Sequence, residues 1–167
     1  MSNTKNLYDK EAIQKIKEMV DDIKTCMFCT EVENVPFRTR PMATAEVDEQ
    51  GDIWFFSIKE SNKNDEIKDD QTVQLLYAKN SDSHFLTITG KTEIVWDKEK
   101  IDKLWNPVMK AYFEGKDDPN ISLLKVAPVE AHYWDTINGK MITLLKMATS
   151  AVTGIKTNVG VEGKIKV

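Results

Sequence analysis

The fold is indicated most directly by residues 37–57, which read FRTRPMATAEVDEQGDIWFFS. Residues 37–47 have the composition of a strand, residues 48–51 suit a hairpin-type turn that ends in glycine, and residues 53–57 predict a strand of aromatic and bulky side chains. Residues 25–32 predict a further strand just before them. Three consecutive antiparallel strands indicate a meander, as in small all-β domains.

The remainder of the chain predicts more short strands and few helices. Ile13, Ile16, Val20 and Ile23 fall on one stripe, so an amphipathic helix is predicted over residues 9–24, with Asp9 as its N-cap. Further strands are predicted at residues 73–77, 84–96 (with a bulge or bend at Gly90), 123–126 and 129–134. Further helices are predicted after residue 61 and over residues 97–113, with a kink or break at Pro107.

This pattern predicts a mainly β chain, a small barrel of about six antiparallel strands with flanking helices. Residues 139–152 fit either a helix or a strand-like arm, and the polar tail after residue 154 is expected to be mobile. No repeat or linker divides residues 1–167, so one domain is expected. Because a barrel of this size is filled by its own side chains, a cofactor is expected on its outside or between subunits.

Composition excludes several classes of function. The net charge of −4 and the pI of about 5.3 argue against general nucleic-acid binding, which requires a basic face. No apolar run approaches the roughly 18 residues of a membrane span, and the first residues lack the apolar stretch of a signal peptide. With only two cysteines, we expect a cytoplasmic protein.

Those two cysteines, Cys26 and Cys29, have the spacing of a redox pair or of half a zinc site. Zinc would need two more ligands, and only His84 and His132 could add an imidazole, without paired spacing. The segment itself predicts a strand rather than the strand-to-helix turn of a redox motif. Two small core residues are the favoured interpretation, and no metal site is predicted.

The most distinctive residues are Arg38 and Arg40, the only arginines among 23 basic side chains. On a strand they share one face with Met42, and arginine offers a planar fork of donors for phosphate or carboxylate. Pro41 cannot donate to a strand ladder, so an edge or a bulge is predicted there, with free backbone groups for the polar rim of a planar ligand.

A second polar group, Ser61-Asn62-Lys63, lies just beyond a predicted strand end and near a predicted helix start. A hydroxyl, an amide, an ammonium and a helix N-terminus together suit a phosphate. An ordinary solvated turn remains the alternative for these three residues.

In their order, these pieces resemble the FMN-binding split barrels of the pyridoxamine 5'-phosphate oxidase group, and within it the general stress protein 26 family. The matching motifs are Arg40-Pro41-Met42, Asp48-x-x-Gly51, Trp54-Phe55-Phe56-Ser57, Ser61-Asn62-Lys63 and Glu130-x-x-Tyr133-Trp134. The resemblance covers roughly residues 10 to 150 and rests on the order and spacing of the motifs.

The resemblance implies a role for each matching residue. Those implied to line the isoalloxazine ring and the ribityl chain are Arg40, Pro41, Met42, Ala43 and Thr44; Phe56 and Ser57 would lie beside the ribityl phosphate, and Ser61 and Lys63 would hold that phosphate. Trp134 would come from the other subunit of a homodimer and border the flavin, unless it is a core or interface tryptophan. No definite role is implied for Arg38.

Departures from the oxidase pattern bear on the reaction. Asn62 stands where those oxidases usually have Arg, Ala45 stands where they have a Lys for the vitamin substrate, and residues 112–117 offer acids instead of an Arg. An anionic vitamin phosphate would therefore lack most of its partners, and no pyridoxamine-phosphate oxidase activity is expected.

The resemblance thus implies a cytoplasmic homodimer that binds FMN or FAD and acts as a flavin-dependent oxidoreductase on an unknown small molecule in a stress response. A flavin-binding or flavin-storing protein without turnover is the alternative, and a haem-binding split barrel is a further one. No acid–base or nucleophile set accompanies the motifs. That does not exclude an enzyme, because flavin chemistry requires mainly position and electronics from the protein.

Overall fold

The computed structural model describes residues 3–5, 7–136 and 160–166. The strands in these ranges are β1 (Asn3–Thr4), β2 (Leu7–Tyr8), β3 (Thr25–Thr30), β4 (Arg38–Ala43), β5 (Glu46–Val47), β6 (Ile53–Ile58), β7 (Thr72–Lys79), β8 (His84–Val95), β9 (Ile121–Thr136) and β10 (Gly160–Lys166). The helices are α1 (Asp9–Ile23), α2 (Asn62–Asp69), α3 (Lys98–Leu104) and a 3-10 helix, Pro107–Ala111. The arm predicted at residues 139–152 lies outside the described residues.

The strands form one curled sheet in the order β1-β10-β9-β8-β7-β3-β4, and β6 joins it by pairing with both β9 and β5. The pairs within the barrel are antiparallel, and only the two short N-terminal strands run parallel to β10. The predicted mainly β architecture with flanking helices is confirmed. None of its described helices combines the length and the apolar character needed to cross a bilayer.

Two apolar clusters stabilise the sheet. The larger one lies inside the curl, where α1 contributes Ile16 and Val20, and Phe28 meets Phe55 edge to face with ring centroids 5.3 Å apart. The smaller one, around Trp54, Ile101, Phe113, Ile121 and Leu123, packs α3 and the 3-10 helix against β6 and β9. The second cluster therefore fixes the segment after α3 next to the end of β6.

The cysteines are part of the core, as expected. Cys26 and Cys29 are free thiols on β3, and both are buried. Burial is the main reason that the pKa of Cys26 is raised to about 12, so this thiol has no tendency to form the reactive thiolate.

The late strands differ from the prediction. Residues 121–136 form one strand, not two strands separated at Pro128. The register shifts between Thr89 and Gly90, which lie opposite Glu130 and Pro128, so the irregularity predicted at Gly90 is present but the extra residue is Val129 on β9. The bulge thus lets the strand continue through Pro128.

Two further boundaries were not predicted correctly. The helix expected over residues 97–113 ends at Leu104, and a 3-10 helix capped by the Asn106 side chain follows, with Pro107 at its start. At the C-terminus, residues 160–166 of the expected mobile tail form β10, which pairs with residues 131–136 of β9. Residues 155–159 of that tail lie outside the described part of the chain.

Candidate functional site

A cleft of about 300 Å³ lies where β4, the end of β6, the start of α2 and the 3-10 helix meet. Its walls are mainly apolar, and Lys63 is the one charged side chain that the described part of the chain contributes to them. The lining residues are Pro41, Met42, Ala43, Thr44, Ala45, Phe56, Ser57, Ile58, Lys63, Asn106, Met109, Tyr112 and Phe113. Seven of the ten residues expected at a flavin are therefore together in one cleft.

The first wall is the edge of the sheet. β4 pairs with β3 on one side, with Pro41 opposite Met27, and no described strand pairs with its other side. The edge position predicted from Pro41 is therefore confirmed, and backbone groups along this edge are left without strand partners. The next residue, Thr44, stays beside the start of β3, since its N–H donates to the Lys24 carbonyl and its hydroxyl lies 2.8 Å from that of Tyr77.

The Arg40 side chain is not among those that line the cleft. It belongs to a polar cluster with Thr30 and with Glu66 of α2. Its Nη1 donates to Thr30 Oγ1 at 2.7 Å, and its Nη2 contacts Glu66 Oε2 at 2.6 Å. The Thr30 hydroxyl, which is fully buried, donates to the same Glu66 oxygen. These bonds close a ring of three side chains, so the guanidinium is held in one orientation and three of its five N–H donors remain for other partners.

Lys63 lies in the first turn of α2 and points its charge into this region. No hydrogen bond or ion pair of its ammonium is found among residues 3–5, 7–136 and 160–166. Loss of solvent is the main cause that lowers its pKa to about 8, the Arg40 charge lowers it further, and Glu66 acts in the opposite direction. The arrangement is a partly buried cation beside a second cation, which is a favourable environment for an anionic ligand.

The two serines expected at the phosphate are engaged within the protein. Ser57 Oγ donates to Asn64 Oδ1 at 2.7 Å, and Asn64 Nδ2 donates to Ser122 Oγ at 3.0 Å, all three residues being buried. Ser61 is the N-cap of α2, where its hydroxyl accepts from the Asn64 N–H. The network fixes the start of α2 against β6 and β9, and thereby positions Lys63 at the cleft.

The opposite wall was missed by sequence reasoning. Asn106, Met109, Tyr112 and Phe113 line the cleft from the segment after α3, and the Phe56 ring lies 6.3 Å from that of Phe113 between centroids. The predicted break at Pro107 was the available signal, because it indicated that the chain changes direction there. What it could not indicate was that the segment returns to the end of β6.

Three residues of interest are away from the cleft within one chain. Trp134 is not among the residues that line the cleft, and on the sheet the strands β8, β7 and β3 lie between it and β4. Arg38 is largely exposed and its Nε lies 3.5 Å from Glu31. His84 has its ring nitrogens 3.0 Å and 2.8 Å from carboxylate oxygens of Asp22 and Asp135, so this histidine is engaged at both ends.

Comparison with known proteins assigns this architecture. The family model described as "Pyridoxamine 5'-phosphate oxidase like" matches residues 11–158. General stress protein 26 of Bacillus subtilis is 32% identical over 73 residues, which is 42% of this chain. The chain spans only 60% and 52% of the length of the curated relatives that it matches.

Two solved structures extend the comparison. A general stress protein 26 from Jannaschia sp. CCS1 superposes with a TM-score of 0.80 at 22% identity, covering 94% of this chain and 99% of that one, and so confirms the split-barrel fold. The general stress FMN/FAD binding protein of Xanthomonas citri is 29% identical with a TM-score of 0.64, covering 76% of this chain and 90% of its own. By fold, family match and relatives, this chain belongs to the pyridoxamine 5'-phosphate oxidase-like family and resembles its general stress protein 26 members.

Proposed function

We propose that this chain binds a flavin nucleotide, FMN or FAD, in the cleft beside β4. The flavin phosphate would bind at Lys63 and Arg40, and the ring system would lie along Pro41 to Thr44 with Phe56 at its side. The apolar lining suits a planar ring, and the unpaired backbone of an edge strand suits its polar rim.

The observation that carries this proposal is the state of Lys63. Folding partly removes its ammonium from solvent and brings it under the influence of the Arg40 charge, and both effects lower its pKa, to about 8. A cost of this kind is relieved when a phosphate binds, because the anion favours the charged form of the lysine. The N-terminal end of α2, where Lys63 lies, adds its own preference for an anion.

The relatives support the same ligand. The Xanthomonas citri protein, 29% identical, carries FMN/FAD binding in its name. The chain also shares the family whose model spans residues 11–158. Ser57 and Ser61 would contribute mainly through their backbone and through the cap of α2, since their hydroxyls are already bonded to Asn64.

We further propose that two copies of the chain complete the site as a homodimer. A volume of about 300 Å³ is at the lower limit of ligand pockets, as expected of a site with a missing wall. The outer face of the sheet carries Met27, Phe85 and Trp134, each at least about a third exposed, and Phe85 lies directly opposite Trp134. Burying these side chains against a second copy would let Trp134 of one copy border the flavin bound by the other.

Bound flavin would supply hydride or electron transfer, and the chain would supply position and shielding. Lys63 is the one basic residue among the described residues that line the cleft, and Asn62 and Ala45 stand where the resemblance leads us to expect basic residues, so we propose no site for an anionic vitamin substrate. We therefore propose a flavin-dependent oxidoreductase acting on a small molecule in a stress response, and not a pyridoxamine-phosphate oxidase. Reduction experiments distinguish this oxidoreductase from a flavin carrier without turnover.

Spectroscopy of the purified full chain tests the proposal. We expect a flavin absorption spectrum, either as isolated or after FMN or FAD is added, and bleaching of that spectrum under NADH or NADPH without oxygen. Bound flavin that no nicotinamide donor reduces would favour the carrier. A colourless protein that does not quench the fluorescence of added FMN or FAD would refute flavin binding, and a Soret band would indicate a haem protein instead.

A further inference from the structure

Glu66 is an unexpected residue at a phosphate site, because it brings a negative charge to the two cations. Its Oε2 lies 2.6 Å from Arg40 Nη2, and its side chain is only 16% exposed. It also affects Lys63 electrostatically, in the direction that raises the pKa of that lysine. Among the described residues that line the cleft or contact Arg40, Glu66 is the sole carboxylate.

The proposed phosphate corner consists of Arg40, Lys63 and Glu66, and its net charge is the sum of these three. Arg40 and Lys63 contribute two positive charges and Glu66 removes one, so the corner carries a single net positive charge. The phosphate of FMN is a monoester with about −1.5 to −2 charges at pH 7. FAD carries a similar total charge, but it is divided between two diester phosphates with one ionisable oxygen each, so the one phosphate of FAD that binds at this corner would bring a single negative charge.

A fixed negative charge repels a dianion about twice as strongly as it repels a monoanion at the same position. Resting on the proposed flavin site, we propose that Glu66 is a specificity-determining residue that shifts the preference of the phosphate corner from the monoester of FMN towards the diester of FAD. Its hydrogen bonds to Arg40 and Thr30 hold the carboxylate at this corner, so the repulsion is built into the folded chain.

The test uses Glu66→Gln, because the amide oxygen of Gln can accept the same bonds from Arg40 and Thr30 while the charge is removed. Dissociation constants of the full chain for FMN, FAD and riboflavin are measured by flavin fluorescence quenching. We expect FMN to bind about tenfold tighter, FAD to gain less, and riboflavin, which has no phosphate, to be unchanged. The ratio of the FMN to the FAD constant should therefore fall about threefold or more.

Asp65→Asn is the matched control. Asp65 is the neighbouring carboxylate on α2, but it is exposed and pairs with Lys68 at 2.7 Å. Its neutralisation changes the net charge equally and should leave the ratio of the two constants unchanged. Glu66→Met, neutral and of similar volume, gives a second determination should Glu66→Gln fold poorly, and the same fall in ratio is expected.

Each outcome is decisive. An FMN to FAD ratio that is the same in wild type, Glu66→Gln and Glu66→Met would overturn the role of Glu66 while leaving flavin binding intact. Equal tightening of all three flavins would also overturn it, since riboflavin cannot report on a phosphate. A wild-type chain that binds none of the three flavins would instead refute the proposed function itself.

Discussion

Replacing Lys63 with Met tests the phosphate site from two directions, ligand affinity and stability. Met keeps the length and flexibility of the side chain and removes the ammonium. A hydrogen bond to a charged group contributes about 1.5–3 kcal/mol, so FMN affinity should fall about 10- to 150-fold. Riboflavin has no phosphate, and its affinity should be nearly unchanged.

The ligand-free protein should respond in the opposite way. Folding lowers the pKa of Lys63 from 10.5 to about 8, which corresponds to a cost of at most about 3 kcal/mol at neutral pH. Since the ammonium is only partly buried, solvent screening reduces this to about 1–2 kcal/mol. The free energy of unfolding of Lys63→Met without flavin should therefore exceed that of wild type by about this amount at pH 7.

The pH dependence has a definite sign. Below about pH 8 the lysine is protonated in both the folded and the unfolded chain, and the full cost is present. Between about pH 8 and 10.5 the unfolded chain binds more protons than the folded chain, so wild-type stability rises relative to the variant. The advantage of Lys63→Met should therefore shrink across this window.

Urea unfolding at several pH values and fluorescence titration with the two flavins are the assays. Lys68→Met is the control, because Lys68 lies on the same helix but is exposed and paired with Asp65. Equal losses of FMN and riboflavin affinity would show that Lys63 does not contact the phosphate. A variant with no stability gain at pH 7 would show that the ammonium is not strained in the free protein.

Three further perturbations test other parts of the structure. Asn64→Ala should lower the free energy of unfolding by about 2–3 kcal/mol in urea titrations, because the buried hydroxyls of Ser57 and Ser122 lose a partner; an unchanged midpoint would contradict the network. Gly90→Ala should cost about 1–3 kcal/mol by thermal unfolding, since its Cβ would lie 2.7 Å from the Ala127 carbonyl oxygen at the bulge; a neutral effect would argue against the register shift. Trp134→Ala should weaken flavin binding by about 1 kcal/mol and favour the monomer in sedimentation, whereas the exposed Trp96→Ala should do neither; equal effects of the two variants would remove Trp134 from the proposed dimer site.

The candidate site was partly predictable because some of its signals are local. Pro41 identified an edge strand, since proline lacks the N–H of a strand ladder, and β4 indeed pairs on one side only among the described residues. Lys63 was placed near a helix start from the polar run around it, and it lies in the first turn of α2. Its partly desolvated environment could not be predicted, because that depends on Arg40 and Glu66 as neighbours.

The errors of prediction arose where a strand depends on residues that are distant in the sequence or on another strand. β9 continues through Pro128 because its extra residue, Val129, is accommodated by a register shift opposite Thr89 and Gly90 of β8. β10 was missed because its apolar content is low and its partners on β9 lie 24 to 34 residues earlier in the chain. In both cases the strand depends on a pairing that no local pattern reports.

Local patterns in the sequence were sufficient to predict the alternation of strands and turns, the helix α1, the edge at Pro41 and an irregularity at Gly90, since each depends on residues within a few positions of one another. Which side chains meet became clear from the folded chain alone. Folding brought Glu66 to Arg40 across 26 residues and the segment after α3 to the end of β6. Charge balance and cleft shape depend on distances in space, and these are fixed by the packing of the whole sheet rather than by any one stretch of the chain.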